Sequence, residues 1–435
     1  MAAGVVAVAP SSAEAGGTRA TRGARGAPPA HRSHATRGAH RAANQDLVVV
    51  GAGEGHGVGM SQWGAYGYAR RGWGYAAILS HYYSSTSLGQ TSSTRVVRVL
   101  LAGNRGSLTF TGATHAGTLA LSSGQSYTAL RSGTAAVSLR DARGHTLATL
   151  AAPLRVTGPG PLTLAGRADN GVSNGAYRGD LELSPGRHGG INAVDAVALE
   201  DYVRGVVAEE ADASWPVAAL EAQAVATRTY AITATVGHGL GFDEYSDTRS
   251  QQYGGVSGER ASTDRAVSAT RDQVVTYGGR PAITYFCASS GGRTADVQSA
   301  FPGAAPEPWL RSVDDPYEGF SPRHRWGPYR FSPARAASML GGLLHGRLRA
   351  ITIIRRDASG RVLAAQVVGT SGSTAASGLQ LQSRLELPST WASFTVGDQF
   401  PARPVGPSSR PSPPPSAAST SAGTTASIGG GVAAP

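Results

Sequence analysis

The sequence predicts an α+β fold, rich in β-strand, with one short helical stretch set into it. Three observations lead there. Residues 94–184 alternate apolar and polar positions in short runs such as VVRVLLAG, SLTFTG, TLALSS and AAVSLRD, separated by glycine-containing turns, which is the period of half-buried strands. Residues 196–236 change to helical spacing. Strand-like runs return at 273–290 (QVVTY, PAITYFCAS) and 349–369 (RAITIIRR, RVLAAQVVG). There is neither strict βαβ alternation nor a tandem repeat, which argues against a doubly wound sheet or a solenoid.

The chain has 435 residues and a net charge of +11, and every one of its 39 basic residues is arginine. That bias, with abundant Ala and Gly, points to a GC-rich bacterial genome. Residues 1–15 read as the end of a signal peptide whose start lies further upstream, with Ala13-Glu14-Ala15 as its cleavage site. Residues 16–45 form an Arg/His/Ala/Gly linker, and 399–435 a Pro/Ser/Thr/Ala tail. Both have too few large apolar residues to offset the entropy of ordering, so disorder is expected. Residues 1–43 hold six Arg against Glu14, and the tail holds Arg403 and Arg410 unopposed. The folded part, about 46–398, is therefore only mildly basic. With no zinc finger, basic helical stripe or interleaved aromatic motif, a nucleic-acid partner is not expected. A single cysteine, Cys287, excludes an intramolecular disulfide and any multi-Cys metal site. No apolar run reaches the ~18–20 residues that span a bilayer.

The folded part opens with LVVVGAGEGHGVGMSQWGAYGYA from Leu47. It imitates a dinucleotide-binding strand and turn, but His56 occupies the third glycine position, and after Glu54 the next acid is Asp141. Both the turn and the ribose-binding acid of that fingerprint are missing. Ser61 is placed to cap a following helix, with Gly72 as its stop. His56 and Gln62 sit on a glycine-rich loop, as in a binding surface, though a lone histidine also serves packing.

Residues 198–235 read as two helices. In the first, Leu199, Tyr202, Val203 and Val206 share one face. At 100° per residue Glu210 falls about 20° from Leu199, near the centre of that face, while Glu209 lies at its edge. A carboxyl set against apolar surroundings loses hydration and holds its proton to higher pH, as a general acid must; a frayed helix end would leave both glutamates in water. Ser214-Trp215-Pro216 marks the second start, with Ser214 as cap. Val217, Leu220, Ala224, Ala231 and Ile232 share a face with Arg228 at its centre, and such an arginine needs a carboxylate or a substrate as partner.

These motifs resemble the SpoIID/LytB-domain proteins of the secreted actinobacterial type. The likeness is carried by GHGVGMSQWGAYGYARRGWGYAAILSHYYSST at 55–86 and LEDYVRGVVAEEADASWPVAALEAQAVATRTYAI at 199–232. DTRSQQYGG at 247–255, YFCASSGGRTADV with SVDDPY between 285 and 317, and the terminal LQSRLELPSTW extend it. The resemblance implies a SpoIID-like core and a lytic transglycosylase that cuts peptidoglycan glycan strands. It equally allows a non-catalytic wall-binding protein or amidase enhancer. The family's Val-Val-x-x-Glu-Met-Pro pattern places the catalytic glutamate on Glu210, with Ala211-Asp212 departing from Met-Pro. Asp212 is then expected either to raise the Glu210 pKa or to disturb the site.

His56, Gln62, Gln223, Arg228, Ser289 and Ser290 are the expected sugar-orienting residues, with His56 and Gln62 facing Glu210 across a glycan cleft. A clostridial relative binds zinc through Cys and His. EYSDTRSQQYGG has neither, so no metal and no cofactor are expected. Cys287 reads as a small buried apolar residue. The expected place is the cell envelope, and the expected partners are glycan strands and a cell-wall amidase.

Overall fold

The computed structural model describes residues 45–92 and 94–397; the leader, most of the linker and the tail lie outside the described residues. It is the expected mixture of helix and β-rich layers. Leu47–Gly51, buried throughout, is the centre of a three-stranded antiparallel sheet between Trp326–Phe331 and Ala392–Val396. A strand buried on both faces needs the continuous apolar run that made it look like the first strand of a parallel fold. No helix follows it directly. The glycine-rich segment leads instead to a two-residue strand, Met60–Ser61, paired in parallel with Phe286–Cys287. Only then do the helices α1 (Gln62–Ala69) and α2 (Tyr75–Tyr82) begin.

The alternating region builds two larger sheets. One has six antiparallel strands; the other has seven, antiparallel except where Glu244–Tyr245 joins Val96–Arg105 in parallel. Leu108 and Phe110, Val137 and Leu139, Leu162 and Leu164, and Leu181 and Leu183 alternate inward, and all belong to one buried core. The strand Ile191–Ala198 runs directly into helix α3 (Leu199–Glu210). The face of α3 formed by Leu199, Tyr202, Val203, Val206 and Val207 closes that same core. The sheets thus fix the direction in which the end of α3 points.

Helix α4 (Val217–Thr233) differs from its reading as a one-faced helix. It is buried almost all round from Ala219 to Ala231, whereas Val217 is 60% exposed. Helices α1, α2 and α3, α5 (Ala261–Ala269) and the strand Gln273–Tyr277 all pack on it. A helix surrounded by others needs small residues rather than a stripe, and six of the 17 residues of α4 are alanine. Its start is also corrected. Pro216, not Ser214, is the N-cap, because the helix begins only at Val217 and Ser214 belongs to the turn before it, its amide donating to the Asp212 carboxylate. The run PAITYFCAS yields only the short pairings at Arg280–Pro281 and Phe286–Cys287. A third unit, the meander Leu348–Arg356, Val362–Gly369 and Gly372–Ser377, is followed by the helix Gly378–Leu385, capped by Ser377 and Gln380. No helix among the described residues is long and apolar enough to cross a membrane.

Candidate active site

Glu210 is the last residue of α3, half-buried, with both carboxylate oxygens held by neutral donors. Gln62 Nε2 donates to Oε2 at 3.1 Å and the Gln252 amide to Oε1 at 2.8 Å. No cation pairs with it among the described residues. Burial raises its pKa above the usual carboxylate value, the two hydrogen bonds draw it back, and the neighbouring Glu209 charge raises it again. Position adds to this effect. The last turn of α3 contains no basic residue, and the C-terminal end of a helix disfavours negative charge.

Two close approaches deliver the donors. Helix α1 lies directly over a buried Tyr82–Asp315 hydrogen bond, and a Cβ at Gly64 would come within 1.9 Å of the Tyr82 hydroxyl. Glycine there lets α1 settle, and Ser61 caps it by accepting from the Gly64 amide, which aims Gln62 at Glu210. On the other side, a Cβ at Gly205 would meet the Tyr253 ring at 2.5 Å. That glycine lets the segment containing Gln252 rest on α3, where the Gly254 amide donates to the Gly205 carbonyl. Gln251 donates to the Tyr202 hydroxyl and Tyr253 to buried Asp195, so the segment is tied down on both sides of Gln252.

Trp63, next in sequence to Gln62, and Trp215, on the turn after α3, belong to an aromatic ledge that the sequence reading missed. The ring of Trp63 is 4.9 Å from that of Trp215, Tyr66 is 5.2 Å from Trp215, and Phe320 is 5.3 Å from Tyr66. The first three rings are half-buried and Phe320 is 48% exposed. Trp63 and Tyr66 alternate with Gly64 and Gly67 in WGAYG, so one side of α1 is bare and packed while the other carries rings. That spacing was the available signal. Asp212 shapes the turn that presents Trp215: its side chain accepts from the Ser214 amide and its carbonyl from the Trp215 amide. It is exposed and does not touch Glu210; Ala211 is buried with Leu220 and Ala266 beneath Trp215. The expectation that Asp212 acts on the Glu210 carboxyl is therefore corrected in favour of Glu209.

Of the six expected sugar-orienting residues, the structure brings only Gln62 to Glu210. His56 accepts the Val58 amide on Nδ1 and packs against Phe301 and Tyr285. It lines a different cavity, so the expectation that it faces Glu210 is overturned. Arg228 is fully buried and takes the internal alternative, donating through Nε and Nη2 to the two oxygens of Glu200 at 2.7 and 2.9 Å. Gln223 is 1% exposed and donates to Thr227 within α4. Ser289 and Ser290 are fully buried and donate to Glu318 and Asp315. These four sit in the packed interior, out of a sugar's reach. Cys287 is buried, and its thiol is pushed up to about 12 by that burial, which leaves it unreactive. No group of three or more metal-ligating side chains converges among the described residues.

Residues 187–277, from the strand before α3 to the one packed on α4, match the family described as SpoIID, Stage II sporulation protein. A SpoIID domain is present. Within it lie Glu210, the Gln252 amide and Trp215, whereas Gln62 and the rest of the ledge lie outside. The chain is 30% identical to Stage II sporulation protein D of Bacillus subtilis over 193 residues, 40% of this chain and 55% of that protein. An uncharacterized protein of Brachyspira hyodysenteriae is 37% identical over 139 residues, 32% of this chain and 37% of that one. The Amidase enhancer of Bacillus subtilis is 37% identical over 111 residues, 26% of this chain and 14% of the relative. The chain thus spans at most 55% of the length of these relatives.

Proposed function

We propose that this protein is a peptidoglycan lytic transglycosylase of the bacterial cell envelope, acting on the bond between N-acetylmuramic acid and N-acetylglucosamine, with Glu210 as its single catalytic carboxyl. The observation that carries the reading is a half-buried glutamate held by neutral donors, with no cation paired to it among the described residues, and one of those donors, Gln62, adjoins a ledge of aromatic rings. The raised pKa of Glu210 favours the protonated form that donates to the glycosidic oxygen. As that bond breaks, the new carboxylate takes the proton of the muramic C6 hydroxyl, which attacks C1 of the same sugar. The product is a 1,6-anhydro end and no water is consumed. An oriented internal hydroxyl has a high effective concentration, so a second carboxylate is unnecessary. Gln62 suits both protonation states: its N–H donates to the carboxylate, and its amide oxygen, once turned over, accepts from the acid. The aromatic ledge offers flat apolar faces for the sugar rings, with Arg70 and Arg71 exposed at its edge for anionic substituents.

A second reading has its own support. The similarity to an amidase enhancer and the replacement of Met-Pro by Ala211-Asp212 favour a wall-binding protein that acts on a partner amidase. One experiment separates the two. The full chain is incubated with purified glycan strands, with and without stem peptides, and the released ends are analysed by mass spectrometry. Anhydro-muramyl ends that disappear in Glu210→Gln support the enzyme. Anhydro ends that persist in that variant overturn the role of Glu210, and strands that bind but stay uncut favour the enhancer.

A further inference from the structure

A second cavity opens where the glycine-rich segment meets the third unit. It encloses about 770 Å³, and small-molecule sites commonly measure about 300–1,000 Å³. It contains neither Glu210 nor Gln62, and lies outside the 187–277 match. Phe301, Pro302, Val362, Leu363, Leu379 and Leu387 give it apolar walls. Arg361, His56 and Gln298 are the polar residues that matter to its chemistry.

Arg361 is only 2% exposed, yet its guanidinium makes no ion pair among the described residues, the Asp357 and Glu318 charges acting on it only from further off. It donates to two backbone carbonyls, Gly55 and Ser290, each at 3.1 Å, and its Nε has no partner. Arg228, equally buried, is fully engaged by Glu200. An arginine cannot discharge itself, and a buried cation with no carboxylate in direct contact is costly. His56, next to it, is held neutral: burial and the Arg361 charge push its pKa down to about 3. A second unpartnered buried atom in the lining, Gln298 Oε1, is an acceptor. The two charged residues at the rim, Arg355 and Glu386, are exposed and opposite in sign.

We propose that this cavity binds a small amphiphile with one carboxylate, a neighbouring N–H donor and an apolar chain, the chemistry of an N-acylated amino acid. The carboxylate lies against the Arg361 guanidinium, the amide N–H meets Gln298 Oε1, and the chain runs along Phe301, Leu363 and Leu379. One negative charge matches one guanidinium that makes no ion pair, and Arg355 and Glu386 at the rim offset each other.

Isothermal titration of the full chain with N-decanoylglycine tests this, with the uncharged N-decanoylethanolamine as control. Saturable one-to-one binding of the acid is expected, with the ethanolamide at least ~10-fold weaker, a factor in the range of one charged hydrogen bond. Arg361→Gln should abolish that preference. Because a core substitution there can unfold the protein, Leu379→Trp supplies a second variant. Leu379 is 43% exposed at the mouth, so its replacement narrows access without disturbing the core, and should weaken the acid at least ~10-fold. Equal binding of acid and ethanolamide, no saturable binding, or wild-type affinity in Leu379→Trp would each overturn the proposal.

Discussion

Glu200 and Glu210 begin and end the same helix in opposite electrostatic circumstances. Glu200, in the first turn of α3, is 5% exposed and accepts from Arg228 Nε and Nη2. Glu210, in the last turn, is met among the described residues by an amide side chain and a backbone N–H. The helix dipole favours the first charge and opposes the second. A glutamate with a dedicated arginine holds α3 to α4. A glutamate with neutral donors at the wrong end of a helix keeps the ability to exchange a proton. Local rules are most often broken where function requires it, and on α3 they are broken at one end only.

The largest effect expected from breaking this contrast is on turnover. Glu210→Gln preserves shape, and both hydrogen bonds once the Gln62 amide turns over to accept, but not the proton, and should cost roughly 10²–10⁴-fold or more in release of anhydro ends, with an unchanged circular dichroism spectrum. Arg228→Met is its counterpart. It strands Glu200 inside the protein and should lower stability by about 3–5 kcal/mol in a urea titration, while the fraction that remains folded retains its turnover. An Arg228→Met protein that is stable yet inactive would return Arg228 to the substrate.

Gln62→Ala sharpens the picture of Glu210 itself. Losing one donor should slow turnover about 10-fold, the scale of one hydrogen bond to a charged group. That bond lowers the Glu210 pKa, so removing it raises the pKa further. The acid must be protonated to act, and the alkaline limb of the pH–rate profile should therefore move to higher pH even as the rate falls. A limb that stays in place would mean that another group sets it. Trp215→Ala should act more weakly, raising KM several-fold with little change in kcat, on the scale of about 1 kcal/mol for one lost stacking face.

How much of this could be read beforehand follows from how local each cause is. Glu210 was legible because the 3.6-residue period of Leu199, Tyr202, Val203 and Val206 carries its direction to the end of the helix. The alternating runs of 94–184 were legible for the same reason, each strand showing its own buried face. Arg228, Ser289 and Ser290 were not, because their partners are remote in sequence: Glu200 lies on another helix, and Glu318 and Asp315 follow a long connection. Polarity alone cannot tell a sugar ligand from a residue whose partner arrives from elsewhere. His56 misled because its glycine neighbours allow the chain to take either side, and the choice is made by Phe301 and Tyr285. The backbone amide of Gln252 leaves no trace in residue type at all.

The smallest expected effect tests the comparison without any substrate. Burial raises the Glu210 pKa in the folded state. Its contribution to stability is therefore complete below the unfolded value near 4.5 and is lost as pH rises through the folded value. Above that range the ionised carboxylate weakens the fold, in part by lying at the negative end of α3. Glu210→Gln should then stabilise the protein at pH 7 by about 0.3–1 kcal/mol, the scale of a relieved helix-end charge, and make no difference at pH 3. Glu200→Gln should do the reverse at pH 7, because it removes the counter-ion of a buried arginine. Thermal unfolding of both variants at the two pH values reads the signs directly. If Glu210→Gln also destabilises at pH 7, its carboxylate is holding the fold together as Glu200 does, and the distinction between the two ends of the helix fails.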